Sequence, residues 1–203
     1  MGGSFGDLLL QLTQFGQQVS LSYDGTELRE LVLEVLRRSE GSEESRALFQ
    51  AADRVRHQHM GDTVHLRGVI EFSNYCKNDC LYCGLRASNG SLQRYRMPPE
   101  EIVAVAVSAI ETGFRTIVLQ SGEDPWYSAQ TLAAIITRIK EEASKRGIRV
   151  AITLSLGERN PEELALLRQA GADRYLLKHE TSDEKLHAQL RPGHTLHQRL
   201  QCI

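Results

Sequence analysis

From Val64 onward the chain repeats one unit, an extended segment followed by a helix-forming segment. The expected strands are His65–Asn74, Thr116–Ser121, Arg149–Leu156 and Arg174–Glu180. Between them, helices open at Pro98-Pro99, at Ser128 as N-cap and at Asn160-Pro161-Glu162-Glu163, and they close at Gly113, Gly147 and Gly171. Proline at the first turn and glycine just past the last is the asymmetry of real helices. Serial strand–helix units call for a parallel sheet with right-handed crossovers, so the fold class is α/β.

The strands do not read as the continuous apolar runs of a sheet buried on both faces. Arg67, Val69, Glu71 and Ser73 alternate with Gly68, Ile70, Phe72 and Asn74, and Thr153 and Ser155 alternate with Ile152, Leu154 and Leu156. In the second strand Thr116, Val118 and Gln120 oppose Ile117 and Leu119; in the fourth, Leu176, Lys178 and Glu180 oppose Tyr175 and Leu177. Successive side chains point to opposite faces, so one face turns polar toward the C-terminal ends. Enclosing such groups is costly unless they serve a ligand or each other, as Arg67–Glu71 or Lys178–Glu180 pairs would. Barrels of this architecture carry their active sites at that end.

The first strand runs into Asn74-Tyr75-Cys76-Lys77-Asn78-Asp79-Cys80-Leu81-Tyr82-Cys83-Gly84, which holds three of the chain's four cysteines. A 4Fe–4S cluster is normally held by four cysteines, so three leave one iron free to bind something else. Zinc closes a tetrahedron with paired Cys or with Cys and His, and here would need the distant Cys202 or a histidine. A disulfide framework fits neither the uneven grouping nor the absence of any sign of secretion. The histidines are weak ligand candidates: His57, His59 and His65 precede the sheet, His179 falls on the face away from the cavity, and His187, His194 and His197 lie in a polar helical stretch.

With 203 residues, 41% hydrophobic and 25% charged, the chain can bury one good core, and its net charge of -2 gives no reason to expect nucleic acid as a partner. Its apolar stretches fall far short of a bilayer span, and Met1-Gly2-Gly3-Ser4-Phe5-Gly6 lacks the early cations of a targeting segment. A reducing cytoplasm at low oxygen is expected. Residues 1–60 read as an N-terminal helical extension: a ragged Gly/Gln/Ser-rich stretch over residues 1–23, a helix over Thr26–Ser39, and a second helix opened by Ser42 and running toward His57. Residues 61–203 form the core.

The cysteine loop, with aromatic Tyr82 before its third cysteine, resembles the signature of the radical S-adenosylmethionine (SAM) superfamily. The runs Glu71–Asn74, Arg94–Met97, Thr116–Pro125, Thr153–Glu158 and Gly171–Leu177 are closely similar to the hydrogenase maturases of its biotin-synthase-like branch, and the likeness extends over residues 60–203. The resemblance implies a TIM-type (β/α)8 barrel, of which this chain supplies about the first half as four βα units. It implies that Cys76, Cys80 and Cys83 hold a 4Fe–4S cluster and that the Tyr82 backbone meets the adenine of SAM. Glu123 and the backbone near Gly122, in a Gly-Gly-Glu-type motif with Ser121 in place of the first glycine, address the methionyl amine. Glu180 and Arg199 bind ribose or methionyl groups. Ser155 and Gln120 face the substrate, and Arg67 and Lys178 are the cations for an anionic one. The family more often has arginine at the position of Lys178, and lysine offers a point charge instead of a bidentate fork.

Implied partners are an electron donor, other hydrogenase maturases, and a small iron-containing precursor or amino-acid-derived substrate. The implied chemistry is reductive cleavage of SAM to a 5′-deoxyadenosyl radical, used in assembling the hydrogenase H-cluster. The rivals are a methylornithine-synthase- or biotin-synthase-like enzyme and, from another class, a structural zinc protein. The amphipathic run Leu196, Leu200, Ile203 has no terminating Gly or Pro, so a longer protein is expected, with the 203 residues alone poorly stable and inactive. Cys202 matches a small buried position in that helix.

Overall fold

The computed structural model describes residues 41–203 together with Leu33 and Arg37. The expected ragged start and, apart from those two residues, the Thr26–Ser39 helix lie outside the described residues. The chain divides into two compact units, the first ending at His65 and the second spanning Leu66–Ile203.

In the first unit α1 (Glu43–Met60) begins where Ser42 Oγ accepts from the Ser45 N–H, and it ends at Gly61, whose φ of 65° is left-handed. An oxygen acceptor at the N-cap and glycine past the last turn are the usual answers to orphan helix termini.

In the second unit the order is β1 (Gly68–Ser73), α2 (Pro99–Glu111), β2 (Thr116–Ser121), α3 (Ala129–Lys145), β3 (Ala151–Ser155), α4 (Pro161–Gln169), β4 (Arg174–Tyr175), α5 (Glu184–Leu190) and α6 (Leu196–Gln201). The four strands form one parallel sheet in the order β1-β2-β3-β4. The expected caps are in place: Ser128 Oγ accepts from Thr131 N, and Asn160 and Glu163 form a reciprocal capping box. Ile70, Phe72, Ile117, Leu119, Ile152 and Leu154 bury one sheet face against Ile102, Ala106 and Ile110 of α2, Leu132, Ile135, Ile136 and Ile139 of α3, and Leu167 of α4. Each large apolar side chain buried there contributes about 1.5–3 kcal/mol.

The opposite face is polar and open. Glu71, Gln120 and Ser155 sit side by side in register across β1, β2 and β3, while Val69 is 55% and Leu176 43% exposed. Among the described residues neither Arg67–Glu71 nor Lys178–Glu180 forms an ion pair; Glu71 Oε1 instead accepts from Gln120 Nε2 at 2.9 Å.

Three strands are shorter than their sequence suggests. β1 starts at Gly68, which pairs with Ile117, so residues 65–67 have almost no β2 opposite them. β3 covers only Ala151–Ser155. β4 shrinks to Arg174–Tyr175 because β3, its one neighbour among the described residues, stops at Ser155 and the chain turns at Gly157 (φ 77°). Leu176 N–H makes the last bond, 2.7 Å to Leu154 O, and residues 177–180 run on unpaired.

Candidate active site

Everything at the C-terminal edge of the sheet starts from how β1 and β2 hand over to their loops. After Ser73 the chain makes a long excursion and returns at Arg94. The Asn74 side chain closes its base, accepting from Tyr95 N–H (2.7 Å) and donating to Gln93 O (2.8 Å). The Arg94 guanidinium donates to the carbonyls of Asn74, Leu85 (2.9 Å) and Arg86 (2.7 Å), so one side chain buckles both ends of the cysteine segment. Inside that ring Cys76, Cys80 and Cys83 are half-buried, unpaired thiols. Cys83 N–H donates to Cys80 O, and the Cys83 sulfur accepts from Leu85 N–H. Burial pushes the Cys76 thiol above its ordinary value.

At the end of β2, Glu123 and Asp124 point apart. Asp124, 1% exposed, takes both prongs of Arg96 (2.7 and 2.9 Å) and the Ser73 hydroxyl (2.7 Å). Burial favours its neutral form, but these donors outweigh it and hold the carboxyl below the usual range. Arg96 also lies 3.8 Å over the Tyr75 ring, so the start of the cysteine loop is fastened to the end of β2.

Glu123 turns into the cavity. Its Oε1 lies 3.6 Å from both Arg191 and Arg199; its Oε2 is buried with no hydrogen-bond partner, Lys77 standing off at 3.7 Å. Gly157 makes room for it, and Gly122 makes room for the start of the cysteine loop. A Cβ on Gly157 would come within 1.8 Å of Glu123 Cγ, and one on Gly122 within 2.2 Å of Tyr75 O. Glu158, just after β3, accepts from Arg191 and Arg199 at 3.1 Å each. Burial would raise its pKa, yet the two guanidiniums hold it below the carboxylate range.

Cys76, Cys80, Cys83, Tyr82, Glu123, Glu180, Arg199, Ser155, Gln120 and Lys178 all line one open cavity of about 360 Å³. Gly122 is buried beneath it, its N–H on Ser73 O. Arg67 is not brought in: it is exposed ahead of β1, at the end of the sheet away from the cysteines. Glu180 has φ 69°, a left-handed backbone that costs a non-glycine residue on the order of 1 kcal/mol or more. No histidine lines the cavity; His187 is fully buried, and neither of its ring nitrogens is bonded.

Residues 70–203 match the profile of the radical SAM superfamily. The chain belongs to the radical SAM superfamily. It is 49% identical over 180 residues to the [FeFe] hydrogenase maturase subunit HydE of Thermotoga maritima, covering 87% of this chain and 50% of that protein. It is 32% identical over 184 residues to the 3-methylornithine synthase of Methanosarcina acetivorans, covering 90% of this chain and 50% of that one. Among solved structures, methylornithine synthase superposes with a TM-score of 0.75 at 29% identity, over 98% of this chain and 54% of that chain. The chain thus spans about half the length of the curated relatives it matches, and its four βα units correspond to half of a TIM-type barrel.

Radical SAM proteins use a 4Fe–4S cluster and SAM, and the residues present fit both. Three free thiols stand on one loop. Among the described residues no three His, Cys, Asp or Glu side chains converge as a single ion requires, whereas cluster cysteines each meet a different iron. The orphaned Glu123 Oε2 offers a buried acceptor for an ammonium group. Sequence reasoning missed Arg191 and Glu158. Glu158 was signalled by its place just past a strand end, but nothing local marks Arg191.

Proposed function

We propose that the protein containing this chain is a radical SAM enzyme in which Cys76, Cys80 and Cys83 hold the cluster and leave one iron for SAM. The observation that carries this reading is the buried Glu123 Oε2, without a hydrogen-bond partner, in the cavity of the three thiols. When bound, the cluster and SAM supply one-electron reductive cleavage of the sulfonium carbon–sulfur bond. The chain's own residues bind and orient. Glu123 receives the methionyl ammonium, held by Arg191 and Arg199; Gly157 leaves room for its side chain and Gly122 for the cysteine loop; Glu180 and the exposed ring of Tyr82 face the nucleoside end. Gln120, Ser155 and Lys178 address the substrate from the polar strand face.

The likeness to the hydrogenase maturase HydE supports a role in assembling the hydrogenase H-cluster, with an iron-containing precursor as substrate, an electron donor and other maturases as partners, in an anaerobic cytoplasm. No described helix is long and apolar enough to cross a membrane. The test is anaerobic reconstitution with a reductant and SAM: 5′-deoxyadenosine and methionine are expected, and their absence refutes the chemistry. Failure to activate an apo-hydrogenase while SAM is cleaved refutes only the pathway and favours an amino-acid substrate, as the likeness to 3-methylornithine synthase would have it.

A further inference from the structure

Arg191 and Arg199 are 2% and 6% exposed, and burying two guanidiniums together is costly unless carboxylates answer both. Two carboxylates do, and they are engaged differently. Glu158 Oε1 accepts from Nη1 of Arg191 and from Nη1 of Arg199, at 3.1 Å each. Glu123 Oε1 stands 3.6 Å from Nη2 of Arg191 and from Nη1 of Arg199, beyond hydrogen-bond distance, and Glu123 Oε2 has no hydrogen-bond partner. Both arginines and Glu123 line the cavity, whereas Glu158 does not, although it directly follows Gly157, which does. The arginines are also held from behind. Arg199 Nε donates to Lys178 O at 2.6 Å, and Arg191 closes α5 with its N–H on His187 O.

We infer that Glu158 is a positioning residue for SAM: by taking the hydrogen bonds of both arginines it keeps them off Glu123, whose charge is left for the methionyl ammonium. The inference rests on the proposed function, since it assumes that Glu123 receives that ammonium. Two guanidiniums against two carboxylates leave the group neutral, and Lys77, the other cation near Glu123, is largely solvated and stays 3.7 Å away. Without the Glu158 charge, two buried guanidiniums would face Glu123 alone. A small shift from 3.6 Å would then put both onto it and quench the charge that the ammonium needs. Burial by itself would favour a neutral Glu158; the same two guanidiniums keep it ionised, so its charge is there to hold them.

The experiment uses the anaerobically reconstituted protein and compares, by calorimetry, SAM with 5′-methylthioadenosine, which has neither ammonium nor carboxylate. Glu158→Gln is expected to weaken SAM binding by about tenfold or more and to leave 5′-methylthioadenosine unchanged. Unchanged SAM affinity, or an equal loss for both ligands, overturns the inference. A second arm restores the charge balance: Glu158→Gln combined with Arg191→Met leaves one cation to one carboxylate. That protein should bind SAM more tightly than Glu158→Gln alone. A merely structural Glu158 would make two substitutions worse than one, and that result overturns the inference. Should Glu158→Gln fail to fold, the doubly substituted protein decides: a loss of SAM affinity below about tenfold supports the inference, and a larger loss or a failure to fold overturns it. If the unaltered protein binds no SAM, the proposed function fails and this inference falls with it; SAM bound equally with and without the Glu158 charge sinks the inference alone.

Discussion

Glu123 and Asp124 leave the end of β2 in opposite directions, and their partners divide their work. Asp124 is structural. A carboxyl whose folded pKa is depressed adds stability above its unfolded value near 3.9, and that stability is lost as pH falls through the folded value. We therefore expect acid unfolding to steepen below about pH 4, and Asp124→Asn to cost about 2 kcal/mol at pH 7 with a flatter acid limb, measured by denaturant titration at several pH values. Glu123 is, in the proposed function, the group that binds SAM. Glu123→Gln keeps the shape but loses the charge, so cluster content should hold while SAM affinity falls at least tenfold; calorimetry showing equal affinity removes Glu123 from the site. In the run Gln120–Asp124 the family resemblance singled out Glu123, but the residue types alone do not say which of two adjacent acids faces the cavity. That is decided by Arg96, Arg191 and Arg199, which arrive from elsewhere in the chain.

Among the elements, the helices were easiest to place, because Pro98-Pro99, Ser128 and Asn160 mark starts with local chemistry. β2 needed no correction, being flanked on both sides. β4 was overestimated, since a strand's length depends on the neighbour it pairs with and β3 ends early. The cysteine loop was legible in its three thiols but not in its support. Arg94, inside the recognised run Arg94–Met97, holds three carbonyls on the two sides of the cysteines. Arg94→Ala should leave the sheet folded, as followed by circular dichroism, yet lower the iron bound per chain; full iron loading would show the loop to be rigid without it. On the buried side of the sheet, Ile135→Ala removes a side chain 1% exposed in the α3 core and should cost about 2–5 kcal/mol, read as a lowered denaturation midpoint.

At the scale of the molecule, every described residue lining the cavity lies between Glu71 and Arg199, within the second compact unit. Removing residues 1–60 from the protein is expected to leave iron content unchanged, and loss of the cluster would show that the first unit takes part in holding it. The layered design, one sheet face packed by α2, α3 and α4 and the other polar and open, puts three thiols, a carboxylate with an unused oxygen and a row of polar side chains on one surface. In the proposed function, what unites them is an iron left short of a protein ligand. Electron paramagnetic resonance of the reduced, reconstituted protein before and after addition of SAM tests that directly. A cluster signal whose shape changes on addition is predicted; an unchanged signal, or a metal fully ligated by side chains, contradicts it.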